Sequence, residues 1–281
     1  MRRSHSNGTT WLLLLVLGWI GCGKEENDLL AAIENRGVLR MASDSAYPPQ
    51  SSLEDGVWKG FDISVGEELA RRLGVKLEPM PSDWQEVTSG NWGERWDISV
   101  GSMTDTLTRE SLLYFAKPPY YYTPAVFGAS PQAGVSTLAG LAGKPVCTCA
   151  ECSYESWLDG TLDIPKNRIF QQPPANMTVV TETVETFCVE AIANRTKDYQ
   201  IMIASESVID FAVREGKLLR IDPAVFVEDL CVAVTRSHLL DPTRLVEKIG
   251  QILEEMHKDG TLRTLSLEWF DKDLTQAPSG S

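Results

Sequence analysis

Histidine and positive charge are what this chain most lacks. Only His5, His238 and His257 occur in 281 residues, and 26 Lys and Arg face 39 Asp and Glu, a formal net charge of −13. So acidic a chain has little with which to neutralise a phosphate backbone, so no nucleic-acid partner is expected. The six cysteines are too few to scaffold a protein of this size, and no second Cys pair has zinc-finger spacing. Long apolar runs are missing as well. The run Trp11–Ile20 spans ten residues, about half of what a bilayer-spanning helix needs. There is no internal repeat. What remains is 43% hydrophobic and 23% charged, the composition of a folded globular body, and its length fits one large or two modest domains.

That apolar run follows Arg2 and Arg3 and reads as the core of a secretory signal, residues 1–21. Gly21-Cys22-Gly23 comes next, then the polar run Lys24-Glu25-Glu26-Asn27-Asp28. A small residue before a lone Cys resembles the bacterial lipoprotein cleavage box. Cys22 would then be the lipidated first residue and 22–28 the tether to the membrane. Trp19 departs from the Leu usual three positions earlier. The alternative is an ordinary signal that removes Cys22. Both readings export the protein, to the periplasm or the outer face of the cytoplasmic membrane. Losing 1–21 takes Arg2 and Arg3 from the 26 basic residues, leaving 24 against 39 acidic, or −15. Cys147, Cys149, Cys152, Cys188 and Cys231 remain, an odd number, so at least one has no partner within the chain. The cluster Cys147-Thr148-Cys149-Ala150-Glu151-Cys152 could suit a soft metal, but with so few histidines a structural disulfide is the better reading. Its connectivity is left open. No metal and no cofactor is expected.

Strands and helices alternate along the chain. Val38–Ala42 reads as a strand running into a loop closed by Pro48 and Pro49. From Asp62 the spacing of Val65, Leu69 and Leu73 predicts a helix that Gly74 ends. Val75–Glu78 and Trp96–Gly101 read as further strands. Asp241-Pro242 opens a helix carrying Leu245, Ile249, Ile252, Leu253 and Met256, with Gly260 as its stop. This alternation implies α/β architecture with largely parallel sheets. Residues 128–134 form the most linker-like break and 276–281 a frayed tail.

Leu39-Arg40-Met41-Ala42-Ser43-Asp44-Ser45-Ala46-Tyr47-Pro48-Pro49, then Gly60-Phe61-Asp62-Ile63, Leu69–Val75 and Asp83-Trp84 stand in a characteristic order. Thr104–Arg109, Phe115–Tyr121, Asp259–Leu262 and Trp269–Thr275 continue it. The ordered set resembles the family 3 extracellular solute-binding proteins, the amino-acid-binding components of ABC importers, over about Leu29 to Thr275. The resemblance implies a two-lobed type II periplasmic-binding-protein fold with two hinge strands, near Thr123–Phe127 and Leu230–Val234. Lobe one would comprise 29–126 and 232–275, and lobe two 127–231. It further implies a monomer that captures a free amino acid by hinge closure and passes it to permease subunits.

The resemblance also implies roles for particular residues. Arg109 would hold the ligand's α-carboxylate, because a guanidinium presents parallel donors to a planar carboxylate. Ser102 and Thr104 share that load from the loop before it, and Ser153 from lobe two, although Glu151 and Cys152 depart from the family's turn there. The ammonium needs an acidic partner after the strand Gln200–Ala204. Ser205 and Glu206 both fit, and Glu206 keeps the charge logic. Asp44, Tyr47 and Trp84 would line the side-chain pocket, with Asp44 favouring a basic or amide head group. Tyr120-Tyr121-Tyr122 reads as core and hinge. Two other readings are a dehydratase on the same scaffold and a sensory ectodomain. No nucleophile–base pair supports the first, and no span or signalling domain follows the binding fold to support the second.

Overall fold

The computed structural model describes Met1 and residues 27–278; the signal core and Cys22 lie outside the described residues. Eight strands form one sheet in the order Lys76–Pro81, Val38–Ser43, Ile98–Thr104, Leu219–Thr235, Leu113–Ala129, Ile201–Ser205, Pro145–Cys149 and Thr178–Glu182. Pairing is parallel at both flanks, where helices connect the strands, and antiparallel around the two long central ones. Those two, Leu113–Ala129 and Leu219–Thr235, are 17 residues each and run side by side from Leu113 opposite Thr235 to Ala129 opposite Leu219. They are the crossing strands of a type II periplasmic-binding-protein fold.

Each flank has its own apolar interior. Lobe one buries Leu39, Leu69, Tyr121, Leu230, Ile249 and Phe270 together. In lobe two Phe127, Trp157, Ile203 and Phe226 fill one face of the sheet, and Val126, Met202, Ile209 and Leu218 the other. Each such side chain contributes about 1.5–3 kcal/mol on burial. Between the interiors the chain passes at Tyr122–Pro124, opposite Val227–Asp229. The second passage falls a few residues before the stretch 230–234, because Leu230 and Val232 already fill the interior of lobe one.

The helix expected from Asp62 is Phe61–Leu73, and Gly74 caps it in the left-handed region at φ 74°. Before it, Gly60 lies so close to Gln50 that a Cβ would stand 2.2 Å from that residue's carbonyl oxygen, so only glycine fits. The helix after Asp241-Pro242 is Thr243–Lys258; Gly260, at φ 81°, separates it from Thr261–Phe270. Tyr120 and Tyr121 are buried in lobe one, and the Tyr121 ring stacks on Phe270 at 5.7 Å. Disulfides join Cys147 to Cys188 and Cys149 to Cys152. Cys231 is the unpaired cysteine among the described residues and is buried. None of the described helices is long and apolar enough to cross a membrane.

Candidate functional site

Beside the crossing strands lies a cavity of about 470 Å³, partly open to solvent and lined from both lobes. Asp44, Tyr47, Trp84, Ser102, Thr104 and Arg109 face it from lobe one, and Ser153 from lobe two. These seven are the residues expected from the sequence, Glu206 excepted.

Thr106 fixes Arg109: it caps the short helix Leu107–Glu110, and its hydroxyl accepts from the Arg109 backbone N–H at 3.2 Å. Arg109 is 8% exposed, and its guanidinium donates to Thr104 O and to Glu151 O, each at 3.0 Å. The Trp84 ring covers it, with the guanidinium carbon 5.1 Å from the ring centroid. No carboxylate of the described residues is in ion-pair contact with it. Trp84 is itself positioned by a cap, the Asp83 carboxylate accepting from Gln85 N–H at 2.9 Å.

Ser102 is held from behind. Its hydroxyl donates to Asp62 Oδ2 at 2.8 Å and accepts from Tyr121 OH at 2.7 Å, and its N–H donates to Tyr120 OH at 2.8 Å. Tyr120 OH donates in turn to the other Asp62 oxygen, and burial pushes that carboxyl up to about 7. Asp44 accepts from Ala46 N–H at 2.7 Å, the local turn bond its residue type favours, while still lining the cavity.

Glu206 is elsewhere. It opens the helix Glu206–Arg214 and accepts from Arg220 Nη1 at 2.5 Å, with Lys272 Nζ 3.4 Å away. Ser205 caps that helix, its hydroxyl accepting from Val208 N–H, so it too is turned to local backbone work. Neither lines the cavity. Two other acids do, Glu185 and Glu228.

Glu228 lies on the second crossing strand, 2% exposed. Its Oε1 accepts from Thr104 Oγ at 2.5 Å and from Ser153 Oγ, and its Oε2 from Tyr154 OH. Burial raises its carboxyl above the usual range, opposed by those three hydroxyls and by nearby Arg109. Glu185 opens the helix Glu185–Asn194 and is 6% exposed, with Tyr47 OH donating to it at 3.4 Å. Burial pushes it up to about 8. The acidic pair Glu228-Asp229 interrupting the otherwise apolar run Val225–Val234 was a readable hint for Glu228. Glu185 gave none, since an acid in a helix's first turn is commonplace.

Several contacts already bridge the cleft. Trp84 Nε1 and Arg109 reach Glu151 O, Thr186 Oγ donates to Ala46 O at 2.8 Å, and Gln50 Nε2 donates to Ser207 Oγ at 2.6 Å.

Two α/β lobes closed on a polar cavity at paired crossing strands define a small-molecule-binding protein of the periplasmic-binding type. The chain belongs to the bacterial extracellular solute-binding proteins, family 3, whose profile matches residues 39–272. It is 24% identical over 256 residues to the L-cystine-binding protein TcyJ of Escherichia coli (strain K12), covering 89% of each chain. Cyclohexadienyl dehydratase of Pseudomonas aeruginosa is 34% identical over 90 residues, 32% of this chain and 34% of that one. The ancestral amino acid-binding protein AncCDT-1, a precursor of cyclohexadienyl dehydratase, shares the fold with a TM-score of 0.73 at 22% identity, over 86% of this chain and 99% of its own.

Proposed function

We propose that the protein is the extracytoplasmic substrate-binding component of an ABC importer, that it captures a polar L-amino acid by hinge closure, and that it delivers this ligand to membrane permease subunits. The observation that carries this reading is Arg109: a buried guanidinium facing an interlobe cavity with no carboxylate of its own. It is the single basic residue lining that cavity among the described residues, so there is a seat for one carboxylate. Ser102, Thr104 and Ser153 surround that seat with hydroxyls, and Trp84 covers it. Glu228, the acid electrostatically closest to Arg109, takes the ammonium in place of Glu206. Asp44 and Tyr47 meet the side chain. Cys22 anchors the protein at the outer face of the membrane through its lipid, and the folded part acts as a monomer.

Thermal-shift screening of the mature protein against the twenty amino acids tests the reading. A ligand is expected to raise the melting temperature, and Arg109→Ala to abolish the rise while leaving a folded protein. Stripping one partner from a buried charge pair costs about 2–5 kcal/mol, enough to remove micromolar binding from view. Undiminished binding by folded Arg109→Ala would refute the carboxylate role. One observation favours a second reading: Glu185, holding its proton to about pH 8 inside the cavity, could serve as a general acid. Turnover of a cyclohexadienyl substrate by the wild type would establish that reading instead.

A further inference from the structure

We propose that the Cys149–Cys152 disulfide is a reversible thiol-exchange site: low-molecular-weight thiols reach it through the interlobe cavity, reduce it, and so loosen the turn that braces Arg109. The exchange rests on the cavity alone, and its effect on affinity rests on the amino-acid-binding reading above.

The two disulfides differ in access. Cys147 and Cys188 have no exposed surface, and neither lines the cavity. Cys149 and Cys152 are each 4% exposed, and both line it. A second hollow of about 950 Å³ shares Arg109 with that cavity and reaches the same turn at Glu151 and Ser153. A small thiol therefore has a path to one bridge and none to the other. The spacing of the reachable pair, Cys-x-x-Cys, is that of dithiols that open and close. Three positions apart, its sulfurs stay neighbours after reduction, so the ring recloses readily. Cys149 O stands 2.7 Å from Cys152 Sγ, placed to accept from that thiol once the bond is open.

Exchange takes two steps. A thiolate RS⁻ attacks one sulfur of the bridge, forming a mixed disulfide and releasing the other cysteine as a thiolate. A second RS⁻ attacks the sulfur that carries R, releasing RSSR and the remaining cysteine thiolate. Two electrons pass from two thiols to the cysteine pair, and the two protons those thiols lost end on Cys149 and Cys152. A low-molecular-weight disulfide reverses the sequence.

The ring encloses Glu151, which sits in the left-handed region at φ 59°, a conformation that a residue with a side chain seldom keeps without support. Lobe one touches lobe two at this turn. Arg109 Nη2 and Trp84 Nε1 donate to Glu151 O at 3.0 and 3.5 Å, and Gln85 Nε2 donates to Glu151 Oε1 at 3.2 Å. Opening the ring lets Glu151 leave that conformation, and the three contacts go with it. The guanidinium then keeps Thr104 O as its acceptor but loses its brace from lobe two. By the same linkage, a ligand held at Arg109 shields the bridge from thiols.

Treatment of the folded protein with graded 2-mercaptoethanol, followed by iodoacetamide and peptide mapping, tests the exchange without any variant. Cys149 and Cys152 should become alkylated while Cys147 and Cys188 stay bonded, and oxidised 2-mercaptoethanol should restore the bridge. The link to Arg109 is read from the rise in melting temperature given by an equimolar mixture of the amino acids other than cysteine. The reduced protein should need about fivefold or more of the mixture for the same rise. Cys149→Ser/Cys152→Ser should show that weaker response with or without thiol. Reduction of both bridges in step, or of neither short of unfolding, overturns the exchange site and leaves the amino-acid reading standing. An equal response from oxidised and reduced protein overturns the link to Arg109. Failure of either form to respond to amino acids overturns the proposed function, and the peptide map still decides the exchange.

Discussion

Asp62 has no exposed surface, yet it decides how Ser102 faces the cavity, because both of its oxygens are tied to the Ser102–Tyr120 network. Burial lifts its carboxyl from the ordinary 3.8 to about 7. Between those values the folded state holds a proton that the unfolded state has lost. Its contribution to stability is therefore full below about pH 4 and is lost as pH rises through 7. Asp62→Asn should flatten that part of the stability curve, worth on the order of 4 kcal/mol. Thermal melts at pH 5 and pH 8 check it: the wild type should lose more stability than the variant over that interval. A parallel decline in both would show that Asp62 titrates normally.

At the scale of elements, the two disulfides do different work. Cys147–Cys188 spans 41 residues, tying a strand to the helix that carries Glu185. Cys149–Cys152 closes a loop of sequence separation 3 around Glu151, whose carbonyl accepts from Arg109. By the loop-closure relation the long bridge is worth about 4 kcal/mol and the short one about 2 kcal/mol. Denaturant unfolding of Cys147→Ser/Cys188→Ser and Cys149→Ser/Cys152→Ser should show that order. The short-bridge variant should nevertheless lose more ligand affinity, because the turn that braces Arg109 is freed. An equal loss from both would argue that the loop has no part in positioning that guanidinium. Elements also mark what could be read in advance. Asp44, Tyr47, Trp84, Ser102, Thr104 and Arg109 sit in short contiguous motifs beside strand ends, where local order fixes geometry. The helix at Phe61–Leu73 announced itself by spacing and by Gly74. Glu206 did not reach the cavity because its helix begins one residue after the strand Ile201–Ser205 ends, which turns its side chain toward Arg220. Glu185 and Glu228 meet only through tertiary folding, across sequence separations that no local pattern encodes.

For the whole molecule, the acidic surface and the N-terminus belong together. The proposed loss of residues 1–21 would leave a formal charge of −15, which opposes self-association, so the proposed lipid on Cys22 would do the work of holding the protein at the membrane. Each acyl methylene buried in the bilayer adds about 0.8 kcal/mol. The full-length protein should therefore partition with membranes or detergent, and Cys22→Ala should appear in the soluble fraction. A soluble protein whose first residue follows Cys22 would refute the anchor. The same charge steers cations only weakly, because salt screens it within about 8 Å, so selection among ligands is left to the cavity.

The crossing strands carry one further consequence, in time rather than in space. Lobe one is assembled from both ends of the chain: Ile98–Thr104 must await Leu219–Thr235 to gain its second neighbour, and Phe270 completes the same apolar interior as Leu39. A chain emerging N-terminus first therefore carries an unfinished half-sheet through the synthesis of more than a hundred residues. Contacts so distant in sequence form slowly, and an open strand edge invites wrong partners meanwhile. Lobe two, whose three flanking strands lie within the unbroken stretch Pro145–Ser205, has its parallel layer in hand first. The late-arriving strand thus acts as a keystone: the cleft is incomplete until Leu219–Thr235, which carries Glu228, is in place.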